Sequence, residues 1–533
     1  MKRTFISAAA ILAFAASAHA DELSDIQVQQ KQLREQMTKR LADLEKRQKA
    51  LEAQKAAAPT INPVDAMAAD LPYKAAVKAR PPENDDICIK GICVYGNFDM
   101  GVQYIQHSAP YNALAVAPLD TLVSKNGGGS YFGVGANQMS SSFIGLRGKQ
   151  EIADNLYAVF NLQTIFNPAS GINGSGQGSI AQNNGLAGNL GFQNSFGDSS
   201  KSGQMFNNAA YFGVSSPTFG TFTMGRQSAL SSDLIVNYDP LSGSNSWSLI
   251  TFQGANGGGG DTENRIYDNS YEYRVNIGPV RLAAEAQLRN GGNSSTGNAF
   301  EGDIGFDYMG LSVDFLGGKI FDAISASPLS VAQVQQAAAL GLAVGNGQIA
   351  GTISDNTVFQ VGARYSIGAW KLFGGYEWIQ FTNPNSPLAP GAFDSGGFII
   401  TAPNNTAFPS DKILQTAWVG VRYSITPALD ITGAYYHEWQ NNFATSATTL
   451  AQCAADGVAS AQCAGTLDAV SLVVDWRFAR HMDMYAGAMW SQVQNGLANG
   501  FLAAATNNAG VTNPLGPNKA SNFDPGIGLR YQF

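Results

Sequence analysis

Side chains that could catalyse a reaction together are sparse in this sequence of 533 residues. A hydrolase needs a nucleophile and a base within hydrogen-bond reach of each other. The only candidate pair is Ser471 with His437, which fall on neighbouring predicted strands. His437 alternates with Tyr435 and Trp439, a pattern more typical of an interfacial side chain than of a general base. The sequence therefore favours a protein that is not an enzyme.

The histidines and cysteines do not follow a metal-binding pattern. His19, His107, His437 and His481 are scattered, and none has ligand spacing to a cysteine pair. No metal or other cofactor is expected.

The four cysteines occur instead as two close pairs, Cys88 with Cys93 and Cys453 with Cys463. Lys90-Gly91 can form a two-residue hairpin turn, which would place Cys88 and Cys93 opposite each other. We expect both pairs to be disulfides formed in an oxidising compartment, although four cysteines allow three pairings. Free thiols are the alternative.

The first twenty residues, MKRTFISAAAILAFAASAHA, predict a secretory signal peptide over residues 1–20. Lys2 and Arg3 precede an apolar run that ends at the small-residue pattern Ala18-His19-Ala20. An uncleaved N-terminal anchor is the alternative. No later segment has 18 consecutive apolar residues, so no membrane-spanning helix is predicted.

The composition is poor in charge. Charged residues make up 14% of the chain, against roughly 25% in typical domains. The net charge of −8 becomes −10 once the two positive charges of Lys2 and Arg3 are removed. This balance argues against nucleic acid as a partner.

Residues 21–56 differ from the rest of the chain, because they are rich in Gln, Lys, Glu, Arg and Leu and contain no Gly or Pro. Their apolar residues follow a heptad spacing: Leu23, Ile26, Leu33, Met37, Leu44 and Leu51. This pattern predicts a short α-helical coiled coil, with a single solvated helix or spacer as the alternative. An Ala/Pro-rich linker at 57–86 would lead into a β-rich region at 87–533.

Sixteen candidate strands follow from residue 92 onward. They lie near 92–106, 141–149, 156–166, 205–216, 219–226, 265–276, 279–290, 302–310, 311–319, 357–367, 369–381, 413–425, 428–440, 467–479, 481–495 and 523–533. Long Gly-, Asn- and Ser-rich connections alternate with tight turns such as Gly278-Pro279 and Thr426-Pro427. That order is typical of an outer-membrane barrel with external loops and periplasmic turns. The predicted fold is therefore all-β, a transmembrane antiparallel β-barrel of 16 strands with a helical N-terminal extension.

The strands separate apolar from polar side chains. In residues 429–440, Leu429, Ile431 and Trp439 alternate with Asp430 and Glu438. Charged side chains belong on the inner face, because lipid offers them no partner. The apolar faces should therefore contact outer-membrane lipid.

Several segments resemble the general diffusion porins of Gram-negative bacteria, which are trimeric sixteen-stranded barrels. They are VYGNFDMGVQY, SSFIGLRGKQEIADNLYAVFNLQ, FNNAAYFGVSSPTFGTFTMGRQ and RIYDNSYEY. The resemblance spans residues 87–533 and implies a homotrimer in the outer membrane. It also implies that the terminal strand, with Tyr531 on the lipid face and Phe533 at its end, carries the signal for the barrel-assembly machinery. Residues 21–56 resemble the periplasmic coiled-coil extensions of some porins.

In that family the third loop folds into the barrel and opposes acidic residues to basic residues on the wall. The resemblance places Asp233 and Asp239 on this loop, and Arg226 and Arg265 on the wall. Strict alternation would put Arg226 on the lipid side, so a bulge or a strand end is expected there. Other basic positions of the family are replaced by Asn97, Phe143 and Asn208. The positive cluster should therefore be weaker, and anion preference does not follow from the resemblance.

These patterns predict a water-filled channel for passive diffusion of ions and small hydrophilic solutes. A sugar- or phosphate-selective channel is one alternative. An envelope tether that contacts peptidoglycan through residues 21–56 is another. In each case the N-terminal segment would lie in the periplasm, because both ends of an even-stranded barrel fall on one side of the membrane.

Overall fold

The structure is a computed structural model in which two compact units are distinguished, Met1–Ala66 and Met67–Phe533. It describes residues 31, 35, 38–40, 46, 87–89, 91–108, 111, 129–173, 205–250, 266–288, 297–328, 338–339, 341, 348–387, 393–395, 398–406, 408–443, 463–497 and 519–533. In the first unit the described residues, Lys31, Glu35, Thr38–Arg40 and Lys46, are helical and exposed. The predicted signal peptide, the linker at 57–86 and most of the predicted coiled coil lie outside these residues. Within the described ranges, no helix has the length and apolar character needed to cross a membrane.

The second unit is a β-structure that also contains a helix of nine residues. Its strands are β1 (Ile87–Ile89), β2 (Ile92–Ser108), β3 (Gly129–Ala136), β4 (Ser142–Ala153), β5 (Leu156–Asn167), β6 (Ile172–Asn173), β7 (Ala209–Ser216), β8 (Gly220–Ser228), β9 (Ile266–Ile277), β10 (Val280–Gln287), β11 (Ala299–Tyr308), β12 (Leu311–Pro328), β13 (Gln348–Ile367), β14 (Trp370–Thr382), β15 (Phe393–Ser395), β16 (Phe398–Asn404), β17 (Lys412–Thr426), β18 (Leu429–Gln440), β19 (Gly465–Ala479), β20 (Met482–Asn495) and β21 (Lys519–Gln532). The helix, α1, spans Leu230–Tyr238 and follows β8.

Together these strand segments form a closed antiparallel barrel of 16 strands. The last strand, β21, pairs with β2 through residues 526–532 and 97–103, so the barrel has no free edge there. β3 and β4 both pair with the opposite side of β2, one after the other. They therefore count as one interrupted strand of the barrel. The predicted antiparallel β-barrel and its number of strands are confirmed.

The side chains alternate as the sequence predicts. On β21, Ile527, Leu529 and Tyr531 are exposed on the outside, whereas Asp524 and Arg530 are buried on the inside. The same order recurs on other strands, and it is the reverse of a soluble sandwich, where the apolar face is the buried one. An exposed apolar belt around a polar interior is what a barrel in lipid requires.

The short turns have the backbone that their residues favour. Gly278 (φ 59) precedes Pro279 between β9 and β10, and Gly368 (φ 56) lies between β13 and β14. Glycine adopts this left-handed conformation without steric cost. Because antiparallel neighbours alternate in direction, these turns lie at one end of the barrel and the long connections at the other.

The closing seam lies at the start of β2. The Gly96 N–H donates to the Phe533 carbonyl (2.8 Å), and the Phe533 N–H donates to the Gly96 carbonyl (3.1 Å). Tyr531 is exposed, and its ring centroid lies 5.6 Å from that of Phe533. β1 pairs with β2 beside this point, with a disulfide between Cys88 and Cys93. Cys463 is also disulfide-bonded, and Cys453 lies outside the described residues.

Three features depart from the simplest strand pattern. The Gly-rich stretch of β3 lies in a predicted loop, but it is held as a strand by pairing with β2. β12 and β13 extend well beyond the predicted 311–319 and 357–367. The pairing of β8 with β9 shifts register between Gly225 and Gln227, so the expected bulge or strand end at Arg226 is a bulge.

Candidate pore constriction

The chain turns into the barrel after β8. We call residues 229–250 the loop-three segment; it contains α1 and the irregular stretch that follows. The carboxylate of Asp233 lies in the first turn of α1, where it stabilises the positive N-terminal end of the helix dipole. Pro240 follows directly on the C-cap residue Asp239. The segment is almost wholly buried: Leu234, Ile235, Tyr238 and Trp247 are each at most 2% exposed. An apolar segment of this kind must lie against a wall.

The wall supplies the rest of the main apolar core. Leu234, Ile235 and Trp247 belong to one buried cluster with wall side chains that include Val358, Ile379, Trp418, Tyr436 and Met489. These wall residues come from β13, β14, β17, β18 and β20, so one side of the lumen is filled by packing against the loop-three segment. The channel is narrowed on that side.

Hydrogen bonds fix the segment across the lumen. Trp247 Nε1 donates to the Asp524 carbonyl on β21 (3.0 Å), and Ser471 Oγ on β19 donates to the Trp247 carbonyl (2.6 Å). Gln103 Nε2 on β2 donates to Ser246 Oγ (3.1 Å). The segment thus reaches from β8 to the strands at the closing seam, and it lies inside the barrel rather than over its mouth.

Asp233 lies against the wall at β9. Its carboxylate forms an ion pair with Arg274, which also binds Glu272 (Nε to Oε1, 2.6 Å). Burial raises the pKa of Asp233 to about 7, and Glu272 adds to the rise, while Arg274 opposes it. The charge of this carboxylate therefore changes near neutral pH.

Asp239 lies at the other end of α1 and is fully buried. Its carboxylate accepts hydrogen bonds from Tyr436 Oη (2.6 Å) and from the Gly243 N–H (2.6 Å). Burial raises its pKa, and these hydrogen bonds oppose the rise. Arg422 approaches the same turn and donates to the Pro240 carbonyl (2.6 Å).

The predicted wall cations have a different setting. Arg226 is buried at the β8 bulge, where it donates to the Asn207 carbonyl (2.7 and 3.0 Å) and forms an ion pair with Asp268. Arg265 lies outside the described residues. The cation that pairs with Asp233 is Arg274, which the sequence does not predict. An opposition of the two aspartates to Arg226 and Arg265 across an aqueous gap stays a prediction.

The inner wall is strongly acidic. Buried carboxylates inside the barrel include Asp99, Glu272, Glu285, Glu301, Asp314, Glu377, Asp430, Glu438, Asp475, Asp483 and Asp524. The buried cations of the described ranges are Arg226 and Arg530. Further cations of the inner wall are half-buried: Arg274, Arg281, Arg364, Lys371, Lys412, Arg422 and Arg477. Strand alternation alone could have found these acids, because it assigns Asp430, Glu438 and Asp475 to the inner face.

Some of the wall carboxylates are neutralised by neighbouring cations. Arg530 donates to Asp483 (2.6 Å) and Arg477 to Asp430 (2.9 Å). In contrast, neither carboxylate oxygen of Glu285 or Glu438 has a hydrogen-bond partner within the described part of the chain.

The candidate catalytic pair is separated by the sheet. Ser471 faces inward and binds the loop-three segment. His437 faces outward, where its Nδ1 lies 2.7 Å from Asp468 Oδ1 and its ring packs on Trp439. The two side chains lie on opposite faces and cannot act as a nucleophile and its base.

Comparison with known proteins agrees with this architecture. A family model described as Gram-negative porin matches residues 7–496. No curated protein matches the chain.

Solved structures of other bacterial proteins resemble this chain at low identity. The anion-selective porin from Comamonas acidovorans has a TM-score of 0.50 at 15% identity, covering 83% of this chain and 99% of that chain. The trimer form of OmpT from Vibrio cholerae has a TM-score of 0.47 at 15% identity, covering 83% and 99%. OmpF of Salmonella typhi in complex with daunomycin has a TM-score of 0.44 at 13% identity, covering 83% and 97%. Such identities bear on the fold and not on ion preference.

The family match extends over most of the chain, and the barrel encloses a polar interior behind an apolar outer belt. The chain belongs to the Gram-negative porin family and is an outer-membrane porin, a water-filled channel for passive diffusion of ions and small hydrophilic solutes.

Proposed function

We propose that this porin conducts cations in preference to anions. The observation that carries the proposal is the excess of buried carboxylates over buried cations on the inner wall. Low-dielectric walls focus the field of such charges into the channel, which raises the local concentration of ions of opposite sign.

The loop-three segment sets the narrowest part of this channel in the proposal. Asp233 and Asp239 place two carboxylates on the segment, and Arg226 and Arg265 are retained as the proposed wall cations. Arg274 joins them as the wall partner of Asp233. Ions would pass on the side of the lumen that the packed segment leaves open.

Charge-neutralising variants test the proposed constriction. In a KCl gradient across a planar bilayer, Asp233→Asn with Asp239→Asn should move the reversal potential toward the anion value. Arg226→Gln with Arg265→Gln should move it toward the cation value. Folding should survive, because Asn and Gln keep a polar side chain that can still form hydrogen bonds at these positions. Unchanged reversal potentials in both double variants, with channels otherwise intact, would show that these residues do not line the passage.

The assembly and the N-terminal segment complete the proposal. As in the trimeric porins that the sequence resembles, three copies would associate in outer-membrane lipid. Residues 21–56 would then extend into the periplasm as three helices, each about 50 Å long if fully helical, with peptidoglycan as their contact.

A peptide of residues 21–56 should self-associate weakly, because isolated helices are marginal in water without a partner. A peptide that stays monomeric at millimolar concentration in sedimentation equilibrium would contradict the coiled coil.

A further inference from the structure

Three cations lie side by side on the inner wall near the short-turn end of the barrel. Lys371 on β14 is directly opposite Arg422 on β17. On the other side Lys371 is opposite Ser366 of β13, and Arg364 lies two residues before Ser366 on the same face. We call Arg364, Lys371 and Arg422 the basic triad. Like charges at directly opposed positions destabilise a sheet, so the arrangement has a cost that requires a reason.

Contacts with the loop-three segment show that the basic triad faces inward. The Arg364 guanidinium carbon lies 5.8 Å from the centroid of the Tyr238 ring. Arg422 donates to the Pro240 carbonyl (2.6 Å), and its guanidinium carbon lies 5.4 Å from the centroid of the Phe373 ring. Lys371 shares the face of Phe373, two residues along β14. The triad therefore lies beneath the segment, between it and the periplasmic opening.

The basic triad differs from the other cations of the inner wall in its partners. Arg274, Arg281, Arg477 and Arg530 each form an ion pair with at least one carboxylate. Among the residues that the structure describes, no carboxylate oxygen lies within 4.0 Å of Arg364, Lys371 or Arg422. The diagonal acid on β18, Asp430, is bound by Arg477 at 2.9 Å. Three adjacent positive charges are thus left for something other than the wall.

The donors are also partly fixed in place. Arg422 is held by the Pro240 carbonyl and by Thr432 Oγ1 (3.3 Å), which uses only some of its five N–H groups. Lys371 carries three donors on a flexible stem and has no protein hydrogen bond in the described ranges. A fixed guanidinium beside a mobile ammonium is suited to an oxygen anion, since charge-assisted hydrogen bonds of this type are the strong ones.

We propose that Arg364, Lys371 and Arg422 form a binding subsite for small oxyanions, carboxylates or phosphates, at the periplasmic side of the loop-three segment. The rest of the inner wall is acidic, so this subsite would be the region of the lumen that attracts an anionic solute. The proposal goes beyond ion preference and does not depend on it, because the subsite holds a solute whichever small ion carries the current.

The test is block of single-channel current by an oxyanion in excess KCl. Inorganic phosphate and succinate are titrated separately, each from both sides of the bilayer. The wild-type channel should show a saturable loss of current with at least one of them. Lys371→Gln should raise the half-blocking concentration about tenfold, the change expected from loss of one charge-assisted hydrogen bond. The ranking of phosphate against succinate identifies the preferred class of anion.

Lys412→Gln is the matched control. Lys412 lies on β17, on the same face as Arg422 and ten residues from it, with its ammonium nitrogen 4.7 Å from the centroid of the Phe381 ring. Its loss removes the same charge from the lumen at the other end of the barrel, so block should stay within about twofold of wild type.

Two results of the block measurement would overturn the proposal. One is equal weakening of block in Lys371→Gln and Lys412→Gln, which would indicate only the general field of the lumen. The other is no saturable block of the wild-type channel by either anion. Because Lys371→Gln relieves a like-charge contact, the folded protein should resist heat in detergent at least as well as wild type. A loss of heat resistance would instead assign Lys371 a structural role and contradict the subsite.

Discussion

At the scale of single residues, the ion preference depends on carboxylates that are buried but face a channel. Asp233 has the clearest consequence, because it is a loop residue beside Arg274 and Glu272, and its pKa is raised to about 7. Protonation removes its negative charge and leaves Arg274 to pair with Glu272 alone. The balance of charge near α1 therefore depends on pH around neutrality.

This dependence gives a pH prediction. Asp233 is mostly ionised at pH 8 and mostly protonated at pH 6, so the cation preference of the wild-type channel should fall as the pH falls across this range. The reversal potential in a KCl gradient, measured at both pH values, reports the change. Asp233→Asn, which is neutral throughout, should show a much smaller shift. A shift of the same size in the variant would assign the titration to another carboxylate of the lumen.

At the scale of elements, the closing seam depends on Gly96, a small residue that packs beneath the ring of Phe533. A Cβ added to Gly96 would lie 2.4 Å from Phe533 Cζ and 3.0 Å from the Phe143 carbonyl oxygen. The Phe533 ring must therefore move before any larger residue fits at position 96. The backbone hydrogen bonds between Gly96 and Phe533 and the packing of the Phe533 ring together close the barrel.

Gly96→Ala should accordingly reduce the yield of folded barrel. The measurement is the fraction of protein that migrates as the folded, heat-modifiable form after refolding in detergent. Gly302→Ala is the matched control, because a Cβ on Gly302 of β11 meets open space. The control should fold as wild type does. Equal yields for the two variants would show that Phe533 packing is not needed for closure.

The sequence predicts the strands well and the lumen poorly, for a physical reason. Alternation of period two is a local property, so the outward faces of β18 and β21 could be assigned from residues alone. The interior depends on which distant residues the closed barrel brings together. The ion pair of Asp233 with Arg274 and the contact of Trp247 with Asp524 join residues 41 and 277 positions apart. No spacing rule predicts such pairs.

Local patterns also misjudge β3. Its sequence GSYFGVGA predicts a loop because glycine disfavours strands, yet pairing with β2 holds it in the sheet. At Arg226, in contrast, alternation conflicts with the wall position that the family resemblance implies; this conflict indicated a bulge or a strand end, and the structure has a bulge. Tertiary pairing overrides propensity where the barrel must close.

At the scale of the whole molecule, the barrel presents two surfaces of opposite character. The outer belt exposes apolar side chains such as Phe132, Phe315 and Val419, whereas the inner wall buries charged ones. The loop-three segment reverses this rule inside the lumen, because its apolar side chains pack on the wall and narrow the channel. A passive channel needs no more than this: a closed barrel, a wet interior and a constriction whose charge selects among ions.

The most direct test of this account is planar-bilayer recording of the purified wild-type protein in a KCl gradient at pH 8. We predict stable conductance steps and a reversal potential of the sign that marks preference for K⁺ over Cl⁻. The preference should weaken at high salt, because screening shortens the reach of the wall carboxylates. A reversal potential of the opposite sign would contradict the acidic-lumen account, and the absence of conductance from correctly folded protein would contradict the open channel itself.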